Sequence, residues 1–249
     1  ILIINTLTKK SNFHFLKILL TYLLVVSGAV LIFYWIPILA LILFICFSAY
    51  HFGEQHWQES LTTIKKLPKR FYFFGYGLFI LFMVFCFNDE QVKMIIYEIA
   101  NIKLKNLYAE ELLLVLGSSI LIFLVVTLRQ KKIERATILK ELFTLLVLMI
   151  IFKSSSLIWG FTIYFIIWHS IPSLLEQISF AYGDLKRPHI LKYTKAALPY
   201  WLVSLLGMGL LYFAFEDEKH FQSLFFAFIA AVTFPHAIVM LKMFSNKNI

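Results

Sequence analysis

The stretch ILALILFICFSAYHFGEQHW, residues 38–57, opens with an unbroken apolar run and closes on a polar cluster holding His51, Glu54, Gln55 and His56. An apolar run with no alternation reads as a helix buried on every side, not as the strand of a transmembrane barrel. Pro37 sets a tight turn before it, and a second apolar run, residues 16–35, lies on the far side of that turn. Two such runs back to back, 16–35 and 38–52 with an end expected at Gly53, are two crossings of a hydrocarbon layer about 30 Å thick, which needs about 20 mostly apolar residues per helix.

Working outward, further apolar runs fall at 71–87, 112–128, 138–152, 157–171, 198–215 and 223–244. The expectation is an all-α, polytopic membrane helix bundle of about eight transmembrane helices, forming a single integral membrane domain over residues 1–249. Residues 92–107 mix Ile, Leu and Tyr with Lys and Glu and read as a short amphipathic helix at the interface. Of the 249 residues, 61% are hydrophobic and 15% charged, against about 45–50% and about 25% in soluble domains. The net charge of +9 does not indicate nucleic acid, because the cations sit in short loops between apolar runs. Cys46 and Cys86 lie inside such runs and read as small packing residues.

The basic residues test the map. Alternate segments carry eighteen of the twenty-three Lys and Arg, and the intervening ones carry five. Basic loops stay on the cytoplasmic side, so an even number of spans places both ends of the chain there.

Three of the seven histidines, His51, His169 and His236, lie within or at the end of apolar runs. At about 1.5 Å per residue from the outer helix start, they reach roughly 20, 18 and 20 Å deep. Ionisable groups in a membrane face a bundle interior and a partner, and neutral imidazole is a common metal ligand. The three therefore make a candidate metal site; the alternative is three separate histidines, each hydrogen-bonded to a neighbouring helix. Glu54 and Gln55 stand three and four residues after His51, where either can hold a second imidazole nitrogen from outside the ligand set. His56 joins the site if the backbone turns at Gly53, and is otherwise part of a polar helix end. Pro172 and Pro235 remove backbone donors beside His169 and His236 and open room for a ligand. His14, His189 and His220 fall at helix edges or in loops and read as solvated or interfacial.

Three stretches together, SAYHFGEQHW (residues 48–57), WHSIPS (168–173) and FPH (234–236), resemble the Brp/Blh family of bacterial and archaeal membrane β-carotene 15,15′-dioxygenases. The resemblance covers most of the chain in helix number, motif order and spacing. It implies a multi-helix enzyme of the plasma (inner) membrane with histidine-bound iron(II), Fe(2+). Such an enzyme splits the central double bond of the lipid-soluble carotenoid β-carotene with O₂ to give retinal, which supplies a microbial rhodopsin. It implies His51 and His169 as iron ligands. The family also has an earlier His-Gly motif, and residues 1–5 resemble the segment directly after it, so the expectation is that this motif lies before Ile1. Where the family has His-x-x-x-His, the second position here is Ser173, a poor iron ligand, which leaves His236 or His56 to supply an imidazole. Two other readings of the same residues are a transporter using His51, Glu54 and His169 for protons or cations, and a non-catalytic relative that binds carotenoid or retinal.

Overall fold

The computed structural model describes residues 12–214, 227–230, 233 and 236. The segment expected as a last helix, 223–244, and His220 lie almost wholly or wholly outside the described residues. Nine α-helices are seen among the described residues: α1 (Asn12–Trp35), α2 (Pro37–Trp57), α3 (Lys66–Phe87), α4 (Asp89–Ala100), α5 (Ala109–Arg129), α6 (Arg135–Ser154), α7 (Leu157–Tyr164), α8 (Ile171–Tyr182) and α9 (Arg187–Ala214). A π-helical turn, Phe165–Ser170, carries α7 into α8. Four helices are long and apolar enough to cross a membrane: Pro37–Trp57, Lys66–Phe87, Ala109–Arg129 and the continuous Leu157–Tyr182. Leu20–Trp35 is a shorter apolar helix. Helices α6 and α9 also form where apolar runs were expected, but Arg135, Lys140, Glu141 and Lys153 interrupt the first, and Arg187, Lys192 and Lys195 the second. Large apolar side chains stand exposed along α5 (Leu114, Leu121, Ile122) and α6 (Leu139, Phe143, Ile150). Faces of this kind do not persist in water, and the chain is a multi-pass membrane protein.

The chain divides into two compact units, one of residues 41–170 and one of residues 1–40 with 171–249. In the first, α2 and α3 cross in direct backbone contact. A Cβ on Gly53 would stand 1.8 Å from the Phe73 carbonyl oxygen, and one on Gly77 would stand 1.8 Å from that of Ala49. Ala49 and Gly53 on α2 and Gly77 on α3 let the backbones meet, which is how membrane helices gain packing without a hydrophobic driving force. This explains why α2 runs past Gly53 to Trp57, where the sequence pattern suggested an end. On the other side of α3, Tyr72 stacks on Phe123 of α5 with ring centroids 4.0 Å apart. Helix α4 is the amphipathic segment, ending at Ala100 and not at 107: Val92 and Ile95 are buried, while Lys93 pairs with Asp89 on the open face. Its Gln91 side chain accepts the Leu157 amide at 2.9 Å and so caps α7.

In the second unit, Ile178 of α8 packs on Tyr193 and Ala197 of α9. Tyr193 donates to Gln177 at 2.8 Å, and Gln177 donates to Ser173 at 3.1 Å. Gly183 closes α8 with φ +85°, and its amide reaches Ser179 O at 2.8 Å, a left-handed cap that favours glycine.

Candidate metal centre

His51 and His169 meet inside the first unit. Both are buried, at 1% and 4% exposure. Their rings stand edge to face with centroids 5.0 Å apart, and a ring nitrogen of one lies within 4.8 Å of a ring nitrogen of the other. Helix α2 supplies His51 from its fourth turn, where the Gly53 contact with α3 fixes the helix laterally. The π turn supplies His169. A π turn widens the helix by one residue, a distortion frequent at functional sites, and here it ends two residues before Pro172, whose missing N–H breaks the regular ladder. The pair sits in an aromatic box. Phe52 and Phe165 each lie 4.9 Å from the His169 ring, and Phe161 stacks behind Phe165 at 5.7 Å.

Gln55 sets the state of His169. Its Nε2 donates to the His169 carbonyl at 2.9 Å, and its Oε1 lies 2.5 Å from His169 Nδ1. A carbonyl only accepts, so the amide nitrogen must face it, and Oε1 must face the ring. His169 Nδ1 therefore carries the hydrogen, and Nε2 presents its lone pair. Sequence spacing pointed Gln55 at an imidazole from outside the ligand set; the imidazole it holds belongs to another segment. Glu54 is buried and accepts from the Tyr50 hydroxyl at 3.4 Å.

His56 faces a different set of groups. Its Nδ1 lies 3.2 Å from Glu141 Oε1 on α6, and its Nε2 lies 3.5 Å from the Tyr164 hydroxyl. Tyr76 donates to the same carboxylate oxygen. His236 is helical and half-buried, and falls within the unit of residues 171–249. Ser173 is buried beside Gln177 in that unit. Glu141 was not singled out in the sequence, although a lone carboxylate inside the apolar run 138–152 was the signal that could have found it.

The donor chemistry fits a first-row metal ion. Two imidazoles suit iron, and two nitrogens bound at about 2.1 Å to one ion lie about 3 to 4.2 Å apart, a separation within the 4.8 Å bound found here. Fold and site thus define an all-helical, multi-pass membrane protein with paired, buried imidazoles among aromatic rings. A family model described as "Beta-carotene 15,15'-dioxygenase" matches residues 2–244, and the chain belongs to that family. It is accordingly an enzyme of central β-carotene cleavage with O₂, yielding retinal. No curated protein and no solved structure matches it.

Proposed function

We propose that His51, His169 and His236 hold the iron(II) ion on which this cleavage depends. The observation that carries the reading is the buried His51–His169 pair with Gln55 fixing one tautomer. His236 enters on its equal depth along an apolar run and the proline before it. His56, with both ring nitrogens facing other groups, is left to a supporting role. Bound iron(II) supplies the activation of O₂ that a closed-shell polyene needs. The chain does the rest: His51 and His169 present nitrogen donors, Gln55 holds the His169 ring, and Phe52 and Phe165 exclude water. A substrate as apolar as lipid tails enters sideways from the bilayer, and the pocket places its central double bond at the histidines.

The same reading takes the chain as eight spans in a bacterial inner membrane with both ends cytoplasmic, supported by the asymmetry of its basic loops. Retinal made there passes to a microbial rhodopsin in the same bilayer.

The test is expression in β-carotene-producing cells. The expected outcome is loss of orange colour with retinal in the extract, and purified protein with bound iron. His51→Ala and His169→Ala should each lose the iron; unchanged metal content in both variants would remove the ligand assignment.

A further inference from the structure

Glu141 has no role in the site as described, yet α6 carries it into the interior of the first unit with its side chain only 13% exposed. A carboxylate in an apolar helix is retained for a partner, and the partners are explicit. His56 Nδ1 lies 3.2 Å away and the Tyr76 hydroxyl donates to the same oxygen. A carboxylate accepts only, so His56 Nδ1 carries a hydrogen toward it. The far ring nitrogen of His56 faces Tyr164 Oη at 3.5 Å. Four helices, α2, α3, α6 and α7, thus converge on one buried imidazole–carboxylate pair.

His56 is the direct neighbour of Gln55. On a helix, consecutive side chains point about 100° apart, so the last turn of α2 is gripped from two directions. His56 is held by Glu141, and Gln55 lies against the ring and carbonyl of His169. The Gly53 contact sets the spacing and facing of α2 and α3 at their crossing. Beyond that crossing, the hydrogen bond between His56 and Glu141 holds the rotation of the last turn of α2. Tyr164, at the far end of the cluster, packs on Phe52 at 5.2 Å, and Phe52 packs on His169 at 4.9 Å.

We infer that Glu141 is a positioning residue for the metal centre: through His56 it fixes the rotation of the α2 end and so keeps Gln55 on His169. The inference rests on the reading above that His169 is a ligand. A buried polar pair adds little net stability, and replacing both partners by apolar groups is often neutral, whereas groups that orient a ligand typically change metal affinity 10- to 100-fold. Stability and positioning can therefore be separated.

The experiment titrates iron(II), anaerobically and against a chelator, into wild type, Glu141→Leu, Gln55→Leu and the double variant. Each single change should weaken iron about 10- to 100-fold, and the double variant should be no weaker than the worse single one, because both act through the hold of Gln55 on His169. Wild-type affinity in Glu141→Leu, or losses that multiply, would overturn the inference. In parallel, ¹⁵N-histidine spectra of metal-stripped protein should show His169 as the Nδ1–H tautomer in wild type and a tautomer mixture in Glu141→Leu. An unchanged tautomer overturns the inference without reference to any metal. If wild type binds no iron but the tautomer shifts, the ligand reading fails and the positioning of Gln55 stands. Should Glu141→Leu not fold, the apolar pair His56→Phe/Glu141→Leu keeps the volume and is expected to show the same loss of iron affinity and of tautomer.

Discussion

His51 and His56 stand five residues apart on one helix, and both are drawn into the interior of the same unit, yet their surroundings differ in kind. His51 meets another imidazole in an aromatic box. His56 meets a carboxylate and two phenols. A histidine beside a buried carboxylate has its ring oriented and one nitrogen committed. A pair of buried histidines offers two nitrogen donors to one ion, and imidazole is a common metal ligand. The difference teaches that depth in the membrane does not separate a ligand from a support; the neighbour across the helix interface does.

The largest effect should come from breaking the first environment. His169→Ala is expected to reduce retinal formation to background and to remove bound iron, measured by metal analysis and by retinal extracted from detergent-solubilised enzyme with β-carotene. His56→Ala leaves the paired imidazoles in place and should retain iron with weakened affinity. Equal loss of metal in the two variants would erase the distinction between the sites.

Next is the contact that both environments share. At Gly53 any side chain meets the Phe73 carbonyl, so Gly53→Val must separate α2 from α3. Overpacking of this kind destabilises by about 1–3 kcal/mol or more, and the thermal unfolding midpoint in detergent should fall along with iron occupancy. Gly75→Ala, on α3 where a Cβ meets nothing within 4 Å, is the control, and should leave the midpoint near that of wild type.

A smaller effect separates holding the metal from orienting a ligand. Gln55→Leu keeps His169 but removes the acceptor for Nδ1–H and the donor to its carbonyl. Iron affinity should fall about 10- to 100-fold, while the unfolding midpoint stays within a few degrees of wild type. A Gln55→Leu enzyme with unaltered affinity would show that the π turn alone sets the ring.

Much of this was legible in the sequence, and the illegible parts share a cause. Apolar runs gave α1, α2, α3, α5 and the first part, 157–171, of the Leu157–Tyr182 segment, because hydrocarbon demands continuous hydrophobicity whatever the tertiary contacts. His51 and His169 stood out as polar groups inside such runs. The extension of α2 beyond Gly53, the π turn at Phe165–Ser170, the hold of Gln55 on His169 and the role of Glu141 were not visible. Each depends on a partner twenty or more residues away or on a one-residue change of helical repeat. Spacing along one helix places Gln55 near His51 by i, i+4; it carries no information about which face the π turn presents.

The smallest expected effect tests the same imidazole–carboxylate pairing at the surface of the other unit. Between α8 and α9, Asp184 takes the Lys186 amide at 3.1 Å and the Lys186 ammonium at 2.9 Å, and faces His189 Nδ1 at 2.6 Å. Hydrogen bonds from Lys186, then from His189, hold the Asp184 carboxyl below its ordinary range. A carboxyl depressed in the folded state stabilises that state above the unfolded pKa of about 3.9, and the contribution is lost as pH falls through the folded value. Protection of the amides in the first turn of α9, taken relative to intrinsic exchange at each pH, should therefore be steady from neutral pH down to about pH 4 and fall below it, while Asp184→Asn should show no such step. Because this pair is solvated, its loss should loosen only that turn and leave iron and retinal formation unchanged. If instead the whole protein destabilised with Asp184, the contrast between a solvated pair that trims one helix end and a buried pair that sets the metal centre would fail.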